Sequence, residues 1–314
     1  TVSAVNGIAV FTGVVYLAQV DKAIVTLIAD DVSSGGNLLP QSALPMASEV
    51  VASQLVFEVQ PGGALSGRAL LTQPVVAGRN AQGVLDIDFS DIITLTTSAS
   101  GSLTNTATTA QAGIATFSGL TYTTSVNLES FVIRADDTGG GIEGDLPPVL
   151  AQPLTAGAGE AHHLGLVFAS DPIVADGVTT RSVRIQVLDA NDNLRLLDNS
   201  TVVTLDVAGV GAGGGTATVS GGEAAFVVKT TTVPGSVALN ATASGLVPAS
   251  GNFVTEPGSS SRLVLVYEQG VLLADGLSSR SVKVQLLDAN GNLRVNDNSS
   301  QASLGVTGAG SGGG

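Results

Sequence analysis

The residues with the most chemical potential in this chain are oxygen donors gathered on one short stretch, Asp189-Ala-Asn-Asp-Asn193. Asp189, Asn191, Asp192 and Asn193 bring two carboxylates and two amide oxygens together, and a hard cation such as calcium takes ligands of that kind. The same residue types tolerate left-handed backbone and bond their own main chain, so a turn without metal is the preferred reading. The stretch returns as Asp288-Ala-Asn-Gly-Asn292. There Gly291 replaces Asp192, which removes a carboxylate and installs the usual occupant of a positive-φ position. Asp30-Asp31 and Asp136-Asp137 end patterned segments, where a cation shared with Asp171 or Asp176 competes with the simpler reading of solvated strand ends. His162 and His163 are the only histidines and lack the carboxylate or thiolate support of a metal site.

No nucleophile, base and orienting group recur together, so catalysis has no visible constellation and no enzyme is expected. The glycine-rich runs at 209–215 and 308–314 lead into no helical pattern and carry no Lys, which excludes a phosphate loop. Asn199-Ser-Thr201, Asn240-Ala-Thr242 and Asn298-Ser-Ser300 match the glycosylation sequon, a frequent chance match in Ser/Thr-rich chains.

The acidic turn belongs to a larger recurrence. Residues 175–207, ADGVTTRSVRIQVLDANDNLRLLDNSTVVTLDV, return at 274–306 as ADGLSSRSVKVQLLDANGNLRVNDNSSQASLGV, 99 residues later. Val183, Ile185 and Val187 alternate with Arg184, Gln186 and Leu188, the period of a half-buried strand. Val282, Val284 and Leu286 repeat the pattern. A second strand is expected with Val203, Leu205 and Val207 inward, echoed by Ala302, Leu304 and Val306. A different motif marks the other half of the unit: Gly7-Ile-Ala-Val-Phe11, Gly113-Ile-Ala-Thr-Phe117 and Gly222-Glu-Ala-Ala-Phe226. Glycine opens the strand after a turn, and the small residue and Phe share one face.

Composition agrees with strands throughout. The 314 residues include 40 Gly and only three Lys, without the Ala/Leu/Glu/Lys bias of helical proteins. Cysteine is absent, which excludes disulfides and thiolate metal sites. A formal charge of -14 argues against nucleic acid or an anionic membrane as partner. No apolar run reaches the 18 or more residues a membrane-spanning helix needs, so no membrane insertion is expected within this segment.

In chain order, residues 1–34 read as the C-terminal half of a domain, 35–53 as a Ser/Pro-rich linker, and 54–153 as a complete but divergent domain. In the divergent domain one strand is expected around 69–76, Asn80-Ala-Gln-Gly83 stands at the place of the acidic turn, and 84–89 reads as an inserted or shifted strand. A second linker at 154–163 precedes a domain at 164–256, and 261–314 is an N-terminal half. Thr1 lies inside a patterned segment, so a processed or excerpted chain is expected. The repeat spacings of 106, 109 and 99 together equal the 314-residue length, which places Gly314 followed by Thr1 on the join of Gly215 and Thr216. The half at 261–314 is therefore expected to be completed by residues 1–34 of the next copy, in a head-to-tail homopolymer or a continuous repeat array.

ADGVTTRSVRIQVLDANDN, Gly222-Glu-Ala-Ala-Phe-Val-Val-Lys229 and Gly235-Ser-Val-Ala-Leu-Asn-Ala-Thr-Ala243 resemble the bacterial immunoglobulin-like (Big) repeats of invasin and intimin type surface proteins. The resemblance covers residues 164–314 well and the rest more loosely. It implies all-β architecture, tandem immunoglobulin-like β-sandwiches in an elongated array, and a spacer role outside a prokaryotic cell or at its surface. Leu194 and Leu293 stand where the family usually has Pro, and nothing resembles a receptor-binding lectin domain. The Asp189 turn also resembles the calcium linker of cadherins. Two further readings are an adhesin or carbohydrate-binding module using loops at 80–91 or 139–146, and an accessory region of a larger secreted enzyme. With no Trp and three Tyr, the aromatic platform of a sugar site is missing.

Overall fold

A computed structural model describes residues 1–32 and 38–308, and every described regular element is a β-strand. The chain divides into two compact units, Thr1–Gly159 and Glu160–Gly314.

The second unit holds the most regular sandwich. One sheet orders His163–Val167, Thr180–Leu188, Glu223–Thr230 and Gly211–Gly213. The other orders Ile173–Val174, Ala249–Glu256, Gly235–Ala243, Val202–Gly209 and Gly215–Thr218. The period-two pattern produces the core directly: Val183, Ile185, Val187, Val203, Leu205, Phe226, Val228, Val237 and Leu239 are buried between the sheets. Arg181 also lies on the inward face, buried with its guanidinium 4.7 Å over the ring of Phe253. In the copy 99 residues later the strands of the described residues form one hairpin, Arg262–Tyr267 with Val282–Leu287. The strand expected at 302–306 does not form, and residues 309–314 of the second glycine-rich run, with the expected Gly314 join, lie outside the described residues.

The first unit contains a sandwich of shorter strands. Gln54–Val59, Val75–Arg79 and Ile114–Thr116 make one sheet, facing Ala107–Thr109, Ile92–Thr96, Arg134–Asp136 and Val149–Leu150. Phe57, Val76, Phe89, Ile93, Leu95, Phe117, Leu120, Tyr122 and Ile133 fill its core. The strand expected around 69–76 is two, Arg68–Ala69 and Val75–Arg79, which belong to different sheets. Pro74, which has no N–H to give a ladder, stands between them.

Residues 84–89 are not a strand. Leu85 makes a single bridge to Arg79, as Leu194 does to Leu188 and Leu293 to Leu287, and a second turn follows. The divergent front half therefore keeps the same pair of turns. Asn80 does the work of the absent Asp: its Oδ1 accepts the N–H groups of Gln82 and Val84, as Asp189 Oδ1 accepts those of Asn191 and Asn193.

The stretches read as linkers carry the last strands of their domains. Leu154–Thr155 pairs with Ser130–Phe131, and Ala156 is buried. Among the described residues of 35–53, Gln41–Ser42 pairs with Ile28–Ala29 and Met46–Ala47 with Ile24–Val25. Leu38, Pro40, Ala43 and Pro45 match Leu146, Pro148, Ala151 and Pro153 at a constant offset of 108. Paired prolines confine these strands to two residues each, which is why their composition reads as loop.

Candidate functional site

Each copy of the acidic turn is closed from within. Asp189 Oδ1 accepts the N–H groups of Asn191 and Asn193, and the Asn193 amide donates to both carboxylate oxygens at 3.3 and 3.1 Å. Asp189 and Asn193 are buried, whereas Asp192 sits at φ 66 with its side chain 81% exposed and an oxygen 2.9 Å from His163 Nε2. The backbone that lets Asp192 occupy the left-handed region thus carries its carboxylate away from Asp189, toward His163. His162 and His163 have their Nδ1 atoms 3.3 Å apart.

The copy at 288–292 repeats the turn and adds a joint to the sandwich before it. Burial acts to raise the Asp288 carboxyl, but hydrogen bonds from the Asn292 side chain and from the N–H groups of Asn292, Gly258 and Asn290 outweigh it and hold it below its ordinary value. Asn292 Nδ2 donates to Thr232 O at 2.8 Å, Asn290 Nδ2 to Ala175 O at 3.4 Å, and Arg294 Nη1 to Gly258 O at 3.1 Å. In the first unit the joint is built differently. Buried Asp21 accepts the N–H groups of Lys22, Val50 and Ile87, and Lys22 Nζ pairs with Glu49 and with Asp88. Those two acids hold the Lys22 ammonium well above the usual lysine range.

The other acids read from the sequence are placed as follows. Asp136, Asp137 and Asp145 offer oxygens within 4.8 Å of one another; Asp137 is pushed up by burial, against bonds from the N–H groups of Leu146 and Gly139. Asp176 is held down at about 2 by the N–H groups of Thr179 and Val178 and the Thr179 hydroxyl, and Asp275 at about 2 by the same arrangement on Ser278 and Leu277. Asp171 lies 3.5 Å from Arg181, and Asp31 caps the N–H of Leu38. Asp31, Asp137, Asp176 and Asp275 thus accept main-chain N–H groups of their own turns and strand ends.

Equivalent residues of the repeats differ sharply in exposure, a difference no motif carries. Phe226 and Phe117 are 8% and 3% exposed, whereas Phe11 at the same place is 58% exposed. Leu263 is exposed where the equivalent Leu164 is buried, and Val282 is exposed where Val183 is fully buried. Leu27 is exposed where Ile133 and Leu239 are buried. Val14, Tyr16, Leu17, Val25, Leu27 and Met46 line an open groove. Residues 1–32, 38–47 and 261–308 therefore leave exposed the apolar side chains whose equivalents are buried in the two sandwiches, and Val282–Leu287 pairs only with Arg262–Tyr267 among the described residues.

No family model and no curated protein matches the chain. Among solved structures it is similar to invasin, a bacterial integrin-binding protein, at 18% identity over 77% of this chain and 48% of that one, with a TM-score of 0.39. It is similar to the Escherichia coli adhesin FdeC at 13% identity over 79% and 77% of the two chains, TM-score 0.40. A β-glycosidase from Bacteroides vulgatus matches at 12% identity over 64% of this chain and 25% of that one, TM-score 0.31. The chain spans only 21% to 28% of the length of these glycoside hydrolases. At these identities the likeness extends to the fold alone.

Proposed function

We propose that this chain is a structural, non-enzymatic element of a stalk or filament outside a prokaryotic cell or at its surface. Its immunoglobulin-like sandwiches follow one another end to end, and the open halves formed by 1–32 with 38–47 and by 261–308 complete each other between neighbouring copies. The observation that supports this is the exposure of Phe11, 58%, against 3% and 8% for its equivalents Phe117 and Phe226. An apolar face built to be covered, beside an unpaired strand edge, favours association with a matching half. The joints at Asp288–Asn292 and at Asp21–Lys22 suit a spacer, since each ties a half to the adjoining complete sandwich through several hydrogen bonds. Asp189, Asp288, Asp176 and Asp275 accept hydrogen bonds from their own turns, and the reading assigns them no cofactor.

Sedimentation of the purified 314-residue chain over a wide concentration range tests the proposal. Head-to-tail species growing with concentration are expected, with loss of dye binding to exposed apolar surface as they grow. A chain that stays monomeric at high concentration overturns it.

A further inference from the structure

We propose that residues 8–14 of a second copy of this chain add antiparallel to the free edge of Val282–Leu287, with Phe11 opposite Val282, Val10 opposite Lys283 and Ala9 opposite Val284. This rests on the completion reading above and specifies the partner and the register.

Both complete sandwiches supply the template. In the second unit Val183 faces Phe226, Arg184 faces Ala225 and Ile185 faces Ala224. In the first unit Val76 faces Ala115 and Ala77 faces Ile114, the same register displaced by 109 residues. The receiving edge is already set. Arg262 pairs with Leu287 as His163 pairs with Leu188 and Gln54 with Arg79, so the hairpin at 262–287 has the register it needs without the third strand. A slip of one residue would turn Phe11 outward and Val10 inward.

The donor carries a matching signature. Asn6-Gly7, Ala112-Gly113 and Gly221-Gly222 all occupy a two-residue turn with φ positive at both positions. A Cβ on Gly222 would lie 2.5 Å from the carbonyl oxygen of Arg195, and one on Gly113 would strike that of Asp86, the equivalent residue. A Cβ on Gly7 would meet nothing within 4 Å. The backbone that crowds this glycine in both complete sandwiches belongs to the front half, and for Gly7 the equivalent is Arg294 of the receiving copy. A second copy is the occupant because the donor's inward residues, Ala9 and Phe11, repeat those the template buries at Ala224 and Phe226.

The chain has no cysteine, so single substitutions report chosen pairs. Lys283→Cys chains are mixed with Val10→Cys chains under mild oxidation; both positions face outward, and directly opposed residues on paired strands lie within disulfide reach. Linked dimers are expected about tenfold faster than with Ala9→Cys, on the other face, or Thr12→Cys, a diagonal neighbour. Adding Gly7→Ala to the Val10→Cys chain is expected to cut the yield about tenfold while circular dichroism of the separate chain is unchanged. Equal yields from the shifted pairs, preferential linking of Lys283→Cys chains to themselves, or indifference to Gly7→Ala overturns the register. If sedimentation still shows end-to-end growth in that case, the completion reading survives. Absence of linking in every pair from a strictly monomeric chain overturns both.

Discussion

Arg181 and Arg280 occupy equivalent places in two copies of one strand, and only the first is enclosed. Arg181 is buried over Phe253, while Arg280 turns to the carbonyls of Glu268, Gly270 and Val271 in its own loop. Around them the contrast is consistent. Val183 is fully buried and Val282 is 37% exposed, yet the hairpin register and the Asp-closed turns are the same in both copies. Local hydrogen bonding thus forms in both copies whether or not their apolar faces are covered. Hydrophobic burial, which supplies most of the stability of a sandwich, does not.

The largest effect that can break this comparison is in the core. Ile185→Ala should lower the stability of the complete sandwich by about 3 kcal/mol, while Val284→Ala should cost under about 1 kcal/mol in the dilute chain because its site is already partly open. Hydrogen exchange read strand by strand checks both: the amides of Thr180–Leu188 lose protection in the first variant, and those of Val282–Leu287 change little in the second. A large loss from Val284→Ala in a dilute monomer would show that the half is closed by other means.

Next in size is the hairpin glycine. Gly222→Ala imposes both a left-handed backbone and a collision with Arg195, and should cost about 2 kcal/mol in chemical denaturation. Gly7→Ala carries only the backbone term in the lone chain. Ala112, already at φ 50, marks the reverse opportunity: Ala112→Gly should stabilise the first sandwich by about 0.5 kcal/mol or more.

The parts of this fold legible in the sequence were those with a period or a repeat. The alternation at 183–187, the Gly-x-Ala-x-Phe motifs and the Asp-Ala-Asn turns recur at 99, 106 and 109 residues; the alternation and the turns return as the same local structure, as do the motifs at 113–117 and 222–226, whereas Gly7–Phe11 keeps only the turn bridge of Val5 and Ile8 and forms no strand. The short terminal strands were not legible by composition, since two-residue strands between prolines leave no alternation to detect. Their signal was the 108-residue offset of Leu38, Pro40, Ala43 and Pro45. Asn80 hid a conserved geometry behind a changed residue, because an amide oxygen accepts the same two N–H groups as a carboxylate. Of the candidate site, the acidic motif was visible, but the unequal burial of Phe11 and Phe226 exists only in three dimensions.

Smaller still is the effect of the second turn. Asp198 is buried, which raises its carboxyl, but bonds from the Thr201 hydroxyl and the N–H groups of Ser200 and Thr201 bring it down to about 2 from 3.8. A carboxyl lowered in the folded state contributes its stability fully above its unfolded value and loses it as pH falls toward the folded one. The complete sandwich should therefore lose melting temperature between about pH 4 and pH 2, and Asp198→Asn should flatten that part of the profile while costing about 1 kcal/mol at neutral pH. An unchanged slope in the variant would assign the acid sensitivity to Asp176, which is also held at about 2.

The smallest expected change in stability accompanies the most specific change in motion. Asn292→Ala removes the donor to Thr232 O and to Asp288 Oδ2, yet it touches no core residue of the complete sandwich, whose unfolding should shift by no more than about 0.5 kcal/mol. Asn290 and Arg294 still reach Ala175 and Gly258, so the joint weakens without parting. Residual dipolar couplings should then report a wider spread of orientations for 261–308 relative to the complete sandwich, with both internally unchanged. If the spread stays as narrow as in the natural chain, the stiffness of this joint resides in Asp288 and Gly258, and Asp288→Ala becomes the variant that releases it.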